Sequence, residues 1–491
     1  THSSPQATSN KQQATSNKHV DPLRKPSKLI VKILKHKTPP MSNSKTNTNP
    51  RETKSESRSL FSRVRINIIS YGYAQVVTLL AQLVLVPFFL KYWGAELYAD
   101  WLVLTGIPSM LVLLDLGVSQ ASANRATMLA GAQNPHGVCC SLQTALAFTL
   151  LLIASVLLAA LIVNQEISWV NILRLSKLEQ HQASTIMLIM SAYLCVTLLG
   201  GPLDGWFKAI DQTATGAFLL ANRRMADIIV SIFVLVMGGD SIDLATAMLA
   251  CQLTILIILV VIARALSPWP VLGLSHASWN EFRRIWKPAT AYAGFPLAQV
   301  ITLQGGVQIL NQVSTPTIVV GFTMARTMMR LIIQLGVILN NALKPEISRL
   351  AGRGEIDKAK KITLRASVGT LLLSSIIYIS AIIAGPQIID WWGHGKIQTD
   401  STTLSLVGLH TLLNIAWFIP AALLIATNKH ISTAGIYGAS SFLAFLLWAN
   451  FAKSIPPIIG ASFLLAAPEL AVLVFLLFKF YTRSPKILSN F

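Results

Sequence analysis

A chain of 491 residues would fill about three or four soluble domains, but 53% apolar and 12% charged residues with a mean hydropathy of +0.56 exclude that architecture. They describe a polytopic, all-α integral membrane protein. Forty Lys and Arg against twenty Asp and Glu give a formal charge of +20. The basic residues gather in an amino-terminal tail and on one side of the membrane, so the charge speaks for topology and no nucleic-acid partner is expected. Cys139, Cys140, Cys195 and Cys251 lie in or beside apolar runs without the paired spacing of a zinc site or disulfide scaffold, so no metal and no cysteine chemistry are expected.

Residues 1–62 are rich in Ser, Thr, Asn, Gln and Lys and repeat QATSNK at 6–11 and 13–18. Twelve Lys and Arg stand there against Asp21, Glu52 and Glu56, and the segment predicts a disordered basic tail. Its one apolar stretch, KLIVKILKHK at 28–37, could lie on an anionic leaflet. Met41 is a candidate true start, and an Arg-rich organelle presequence is the competing reading of the tail. Apolar runs of about 20 residues, the length that crosses a bilayer core, then recur twelve times. They fall at 66–90, 98–122, 140–163, 184–204, 214–238, 243–264, 289–313, 316–342, 364–387, 401–427, 431–452 and 457–480. Arg223 and Arg224 interrupt the fifth.

With connections alternating, nineteen basic residues fall on the side of the tail, among them Arg125, Lys208, Arg264, Arg283, Arg284, Lys287, Lys429 and the seven from Lys344 to Arg365. Only Lys91, Arg174, Lys177, Lys396 and Lys453 fall opposite. This asymmetry predicts an even span count with both termini cytoplasmic. Two short repeats support a duplicated architecture: AQVVTL at 74–79 returns as AQVITL at 298–303, and LAGAQ at 129–133 as LAGRG at 350–354. The expected organisation is a six-helix lobe at 63–264, a cytoplasmic linker at 265–288, a second six-helix lobe at 289–484 and a cytoplasmic end at 485–491. The two halves are expected to be related by a pseudo-two-fold axis and to enclose a cavity.

The run from Gln75 to Arg125, with QLVLVPFFLKYWGAELYADWLVLTGIPSMLVLLDLGVSQASANR at its core, resembles the opening of polysaccharide and O-antigen (Wzx-type) flippases. GPLDGWFKAIDQ at 201–212 and VGFTMARTMMRLIIQLGVILNNALKPEISRLAGRGE at 320–355 resemble later segments of the same family. The resemblance spans about residues 63–484. It implies a fold of the multidrug/oligosaccharidyl-lipid/polysaccharide (MOP) exporter superfamily, like that of multidrug and toxic compound (MATE) exporters. It further implies a bacterial inner-membrane transporter, not an enzyme, that flips an undecaprenyl-diphosphate-linked oligosaccharide to the outer leaflet by alternating access. Membrane lipids and other polysaccharide-assembly proteins are the implied partners, with no cofactor beyond a coupling H+ or Na+. Two alternatives stay open: a cation-coupled multidrug exporter of the same superfamily, and a membrane-embedded glycosyltransferase, polymerase or ligase.

Ionisable residues within spans mark candidate sites, because each costs at least about 2.5–3.5 kcal/mol at a helix centre unless it faces protein or water. Arg326 and Arg330 lie about 15 and 21 Å into the eighth span and share a helix face, a cradle suited to a diphosphate. A buried ion pair with a carboxylate is the competing reading. Glu469, after Pro468, and Asp115, in LLDLGVS, are candidates for ion coupling, with a satisfied buried acid and an interfacial cap as their alternatives. Asp227, one turn after Arg223, reads as an intrahelical ion pair. Gln75, Gln299, Gln304, Gln308 and Asn311 are candidate sugar or cavity contacts, or alternatively interhelical glue. Trp391 and Trp392 read as an aromatic belt, and His410 as a packing residue.

Overall fold

The structure, a computed structural model, describes residues 50–110, 115, 117–173, 175–270, 272–392 and 399–482. KLIVKILKHK, Met41, Arg174, Lys396 and the end at 485–491 lie outside the described residues. Among the described residues, those from Lys54 onward form one compact unit that holds both lobes.

Helices α1 (Pro50–Tyr92), α2 (Gly94–Met110), α3 (Val118–Gly131), α4 (Pro135–Glu166), α5 (Trp169–Leu173), α6 (Gln180–Leu198), α7 (Gly200–Ala209), α8 (Thr213–Val236) and α9 (Ser241–Leu266) build the first half. Helices α10 (Trp279–Val300), α11 (Gly306–Val313), α12 (Pro316–Gly352), α13 (Ile356–Trp392), α14 (Ser401–Ala426), α15 (Ile431–Phe451) and α16 (Pro457–Thr482) build the second. Nine helical stretches among the described residues are long and apolar enough to cross a membrane. The arrangement matches the expected all-α fold of two halves, and the chain is a multi-pass membrane protein. Polar caps start several helices. Asn134 accepts from Gly137 N–H with Pro135 in the first turn of α4, and Asp240 accepts from Ile242 and Asp243 N–H. Asp400 caps α14 through Thr403 N–H, and the Thr403 side chain, with the backbone N–H as a smaller cause, holds its carboxyl below the ordinary value.

Three stretches depart from the runs read in the sequence. The helix of α1 begins at Pro50, inside the segment expected to be disordered, because Pro suits a first helical turn and Arg, Glu and Lys are good helix formers. The second span is broken, since Gly117 adopts a left-handed φ of 75° at the start of α3, and the helical path then runs on to Gly131. The connection expected at 265–288 is helical from Trp279 onward. There Trp279, Phe282, Ile285 and Trp286 recur with helical period, and a π turn at Ile301–Gly305 later resets the phase of this span.

Each lobe packs around its own apolar clusters. Leu104, Ile186, Leu235 and Leu244 centre one part of the first lobe, and Leu310, Phe322, Met329 and Trp448 centre part of the second. The helix pairs in broadest contact between the lobes are α3 with α12, α3 with α10 and α4 with α10.

Candidate functional site

The second lobe contains a cavity of ≈ 310 Å³ whose lining includes Gln299, Arg326, Arg330, Gln334, His410, Asn414, Tyr437 and Glu469. Helix α12 places both arginines on one face, four residues apart, as their spacing requires. Arg326 Nη1 donates to the Leu303 carbonyl at 2.9 Å, and its guanidinium lies 5.8 Å from the Phe322 ring centroid. The partner carbonyl belongs to the π turn, where the widened helix departs from its regular i to i−4 bonding. Among the described residues neither arginine has a carboxylate within ion-pairing distance, so the buried ion pair considered above is not the arrangement found.

Glu469, 5% exposed, lies in the same lining. Its carboxylate accepts from Asn414 Nδ2 at 3.0 Å, Trp417 Nε1 and Tyr437 hydroxyl at 3.3 Å, three donors from two neighbouring helices. A fully satisfied acid is what burial demands. His410 also lines the cavity while its Nδ1 meets the Val407 carbonyl, so it is both a packing residue and part of the wall.

The remaining polar candidates are placed elsewhere. Gln304, Gln308 and Asn311 are exposed and outside the lining. Gln75 is half-buried in α1 and also outside it. Asp115 accepts from Ser119 Oγ at 2.9 Å, a local bond of the interfacial-cap kind. Asp227 does not pair with Arg223: it accepts from Tyr193 hydroxyl at 2.8 Å and Gln252 Nε2 at 2.6 Å, while Arg223 donates to the Thr197 carbonyl and Arg224 to Thr78 Oγ1. Partners on α6 and α9 outcompete the residue one turn away. Trp391 and Trp392 are exposed at the end of α13, as belt residues would be.

A second constellation, not read in the sequence, closes the lobes at the basic end. Arg349 of α12, 5% exposed, meets Asp211 at 2.6 Å and donates to the Lys208 carbonyl at 2.8 Å, both in the first lobe. Arg63 of α1 reaches Glu346 of α12 at 3.2 Å. Beside them Asn124 Nδ2 donates to Tyr292 hydroxyl at 2.7 Å and to the Ile425 carbonyl at 2.8 Å, and Asn428 Nδ2 donates to the Ala121 carbonyl at 2.7 Å. The two LAG repeats meet here reciprocally. A Cβ on Gly131 would lie 2.3 Å from the Arg349 carbonyl oxygen, and one on Gly352 would lie 1.8 Å from that of Met128. Each glycine thus abuts the carbonyl three residues before the other, and no side chain fits at either.

The arrangement of helices has known counterparts. A MATE crystal structure in the bent conformation superposes with a TM-score of 0.74 at 13% identity, over 88% of this chain and 96% of that one. The fold is that of the MATE transporters. An outward-facing multidrug resistance MATE transporter of the MOP superfamily is similar at TM-score 0.70 and 13% identity, over 86% of this chain and 95% of that one. A MOP superfamily transporter from Pyrococcus furiosus, described by the reverse polarity of its binding pocket, is similar at TM-score 0.70 and 11% identity, with the same two coverages of 86% and 95%. No protein-family model and no curated protein matches the sequence.

Proposed function

We propose that this protein is a cation-coupled exporter of the MOP fold, working by alternating access without covalent chemistry, and that its substrate carries an anionic group. The observation that carries this reading is one cavity holding Arg326 and Arg330 beside the buried acid Glu469. Arginine pairs its planar donors with phosphate or carboxylate oxygens, and two adjacent guanidinium groups disfavour an organic cation. The multidrug transporters among the fold relatives favour export over any other activity. The asymmetry of Lys and Arg supports a cytoplasmic position for the basic end and both termini, and the resemblance to O-antigen flippases supports a bacterial inner membrane.

Proton coupling follows from the chemistry of Glu469. Ionised, the carboxylate accepts from Asn414, Trp417 and Tyr437; protonated, it becomes a donor and one of those bonds must rearrange. Proton entry and substrate release then alter one shared wall of the cavity.

A narrower reading, export of a polyprenyl-diphosphate-linked oligosaccharide in concert with polysaccharide-assembly proteins, rests on the resemblance of 75–125, 201–212 and 320–355 to O-antigen flippases. The cavity of ≈ 310 Å³ is at the small end for ligand sites and suits a diphosphate head, with sugars and lipid outside it. Proteoliposomes with an imposed pH gradient test the broader reading. Gradient-driven movement of an anionic amphiphile is expected in the wild type and its loss in Glu469→Gln; transport indifferent to the gradient in both would overturn the coupling.

A further inference from the structure

The first turns of α10 carry an aromatic face that is only partly covered. Trp279, Phe282 and Trp286 recur at i, i+3 and i+7 and stack as a ladder, with ring centroids 5.1 Å apart for the first pair and 5.3 Å for the second. Phe148 of α4 extends the ladder, 5.6 Å from Phe282. The Arg283 guanidinium lies 5.5 Å from the Trp279 ring centroid. Trp279 is 63% exposed and Trp286 37%, Arg283 and Lys287 are exposed beside them, and Arg284, also exposed, lies further round the helix at 3.8 Å from Glu281. The opposite face is fixed: Ile285, Pro288 and Ala289 are buried, and Glu281 is bonded to Arg125 of α3.

We infer that this face binds anionic phospholipid at the membrane surface. The aromatic ladder takes the boundary between headgroups and acyl chains, and Arg283, Arg284 and Lys287 take phosphate oxygens. Charge complementarity selects this occupant. The chain's own tail carries twelve Lys and Arg against three acids over residues 1–62 and would be repelled, as would a second copy of the same face. Leu272 and Leu274 in the preceding connection are each about half exposed and extend the apolar contact. The site adjoins the joint between the lobes. The connection is held to α4 by His276 N–H donating to Gln143 Oε1 at 2.9 Å and Ser278 N–H to Thr144 Oγ1 at 3.0 Å. A lipid docked on α10 therefore bears on the strap that both lobes share. The inference needs only a membrane-embedded chain and stands apart from the substrate reading.

The test labels the full-length protein in nanodiscs with photoreactive phosphatidylglycerol or phosphatidylcholine and maps the adducts by mass spectrometry. Adducts on 272–290 are expected to favour phosphatidylglycerol by on the order of 10-fold or more, since each neutralised basic residue near an anionic lipid is worth about fivefold. The combined Arg283→Gln, Arg284→Gln and Lys287→Gln variant should lose that preference while keeping the wild-type melting temperature. Trp279→Ala should lower labelling by both lipids alike. Equal labelling of the wild type by the two lipids, a preference unchanged in the triple variant, or crosslinks from this segment to a second protein copy would overturn the proposal. The wild-type comparison decides the matter even if the triple variant does not fold.

Discussion

Arg326 spends one of its five donors on the Leu303 carbonyl, and its remaining hydrogen-bonding capacity has no carboxylate partner among the described residues. A half-buried guanidinium in that condition suits the anion proposed above as its partner. Arg326→Ala or Arg330→Ala is expected to lower transport of an anionic substrate about 10- to 100-fold, the worth of one charge-assisted bond of about 1.5–3 kcal/mol. Lysine should restore part of it, because the charge returns without the planar fork. Initial transport rates of equal amounts of reconstituted protein measure this, and rates equal to wild type in both alanine variants would remove the arginines from the site. These residues were legible in the sequence because an ionisable group deep in an apolar run is costly enough to need a reason. Asn414, Trp417 and Tyr437 were not, although they hold the carboxylate of Glu469. Neutral polar and aromatic side chains are common in spans, and nothing in their spacing announces that three of them converge.

At the scale of elements, the contact of α3 with α12 decides how closely the lobes meet. Gly131 and Gly352 let two backbones approach to a distance at which any Cβ collides with a carbonyl oxygen. Gly352→Ala is expected to hold the basic end open, since the obstruction is rigid backbone and no flexible side chain can yield. Thiol-reactive, membrane-impermeant reagents should then label a cysteine placed at Ala121 from the basic side, where the wild type protects it; protection unchanged in Gly352→Ala would show that closure tolerates the methyl. The long apolar helices were readable because apolar length acts over whole helices, and nine such stretches stand among the described residues where twelve runs were read. The break at Gly117 and the π turn at Ile301–Gly305 were not, for each depends on a backbone choice that one or two residues make in tertiary context. The LAG repeats were visible as a duplication, yet their mutual contact was not, because similarity between halves says nothing about which copies touch.

For the whole molecule, the helix pairs that bridge the lobes do so at the end carrying Arg125, Lys208 and Arg349, and His430 is buried at that closure. Its ring centroid lies 4.3 Å from that of Tyr292, itself bonded to Asn124 across the interface, with the Phe295 ring at 6.1 Å. Burial, with the Lys344 amine as a smaller cause, pushes the imidazole from 6.5 down to about 4. The closed form thus binds the proton less well than an opened form in which His430 meets water. This contribution to closure is fully present above pH 6.5 and is lost by about 1.4 kcal/mol per unit as pH falls from there toward 4. Spin labels at Gln133→Cys and Arg353→Cys, in a background without the native cysteines, should report a longer separation at pH 5 than at pH 7.5. His430→Asn should flatten that dependence; an identical pH response in the variant would assign the opening to other groups.

The account stands or falls on whether the cavity with Arg326 and Arg330 moves an anion. The most direct measurement is a leaflet assay in liposomes reconstituted with the purified protein, using a fluorescent polyprenyl-diphosphate sugar and an impermeant quencher, with a fluorescent organic cation followed in parallel. The account predicts protein-dependent movement of the diphosphate probe that is lost in Arg326→Ala, and no movement of the cation. Transport of the cation alone, unaffected by Arg326→Ala, would contradict it and leave the arginines as structural groups in a conventional multidrug exporter.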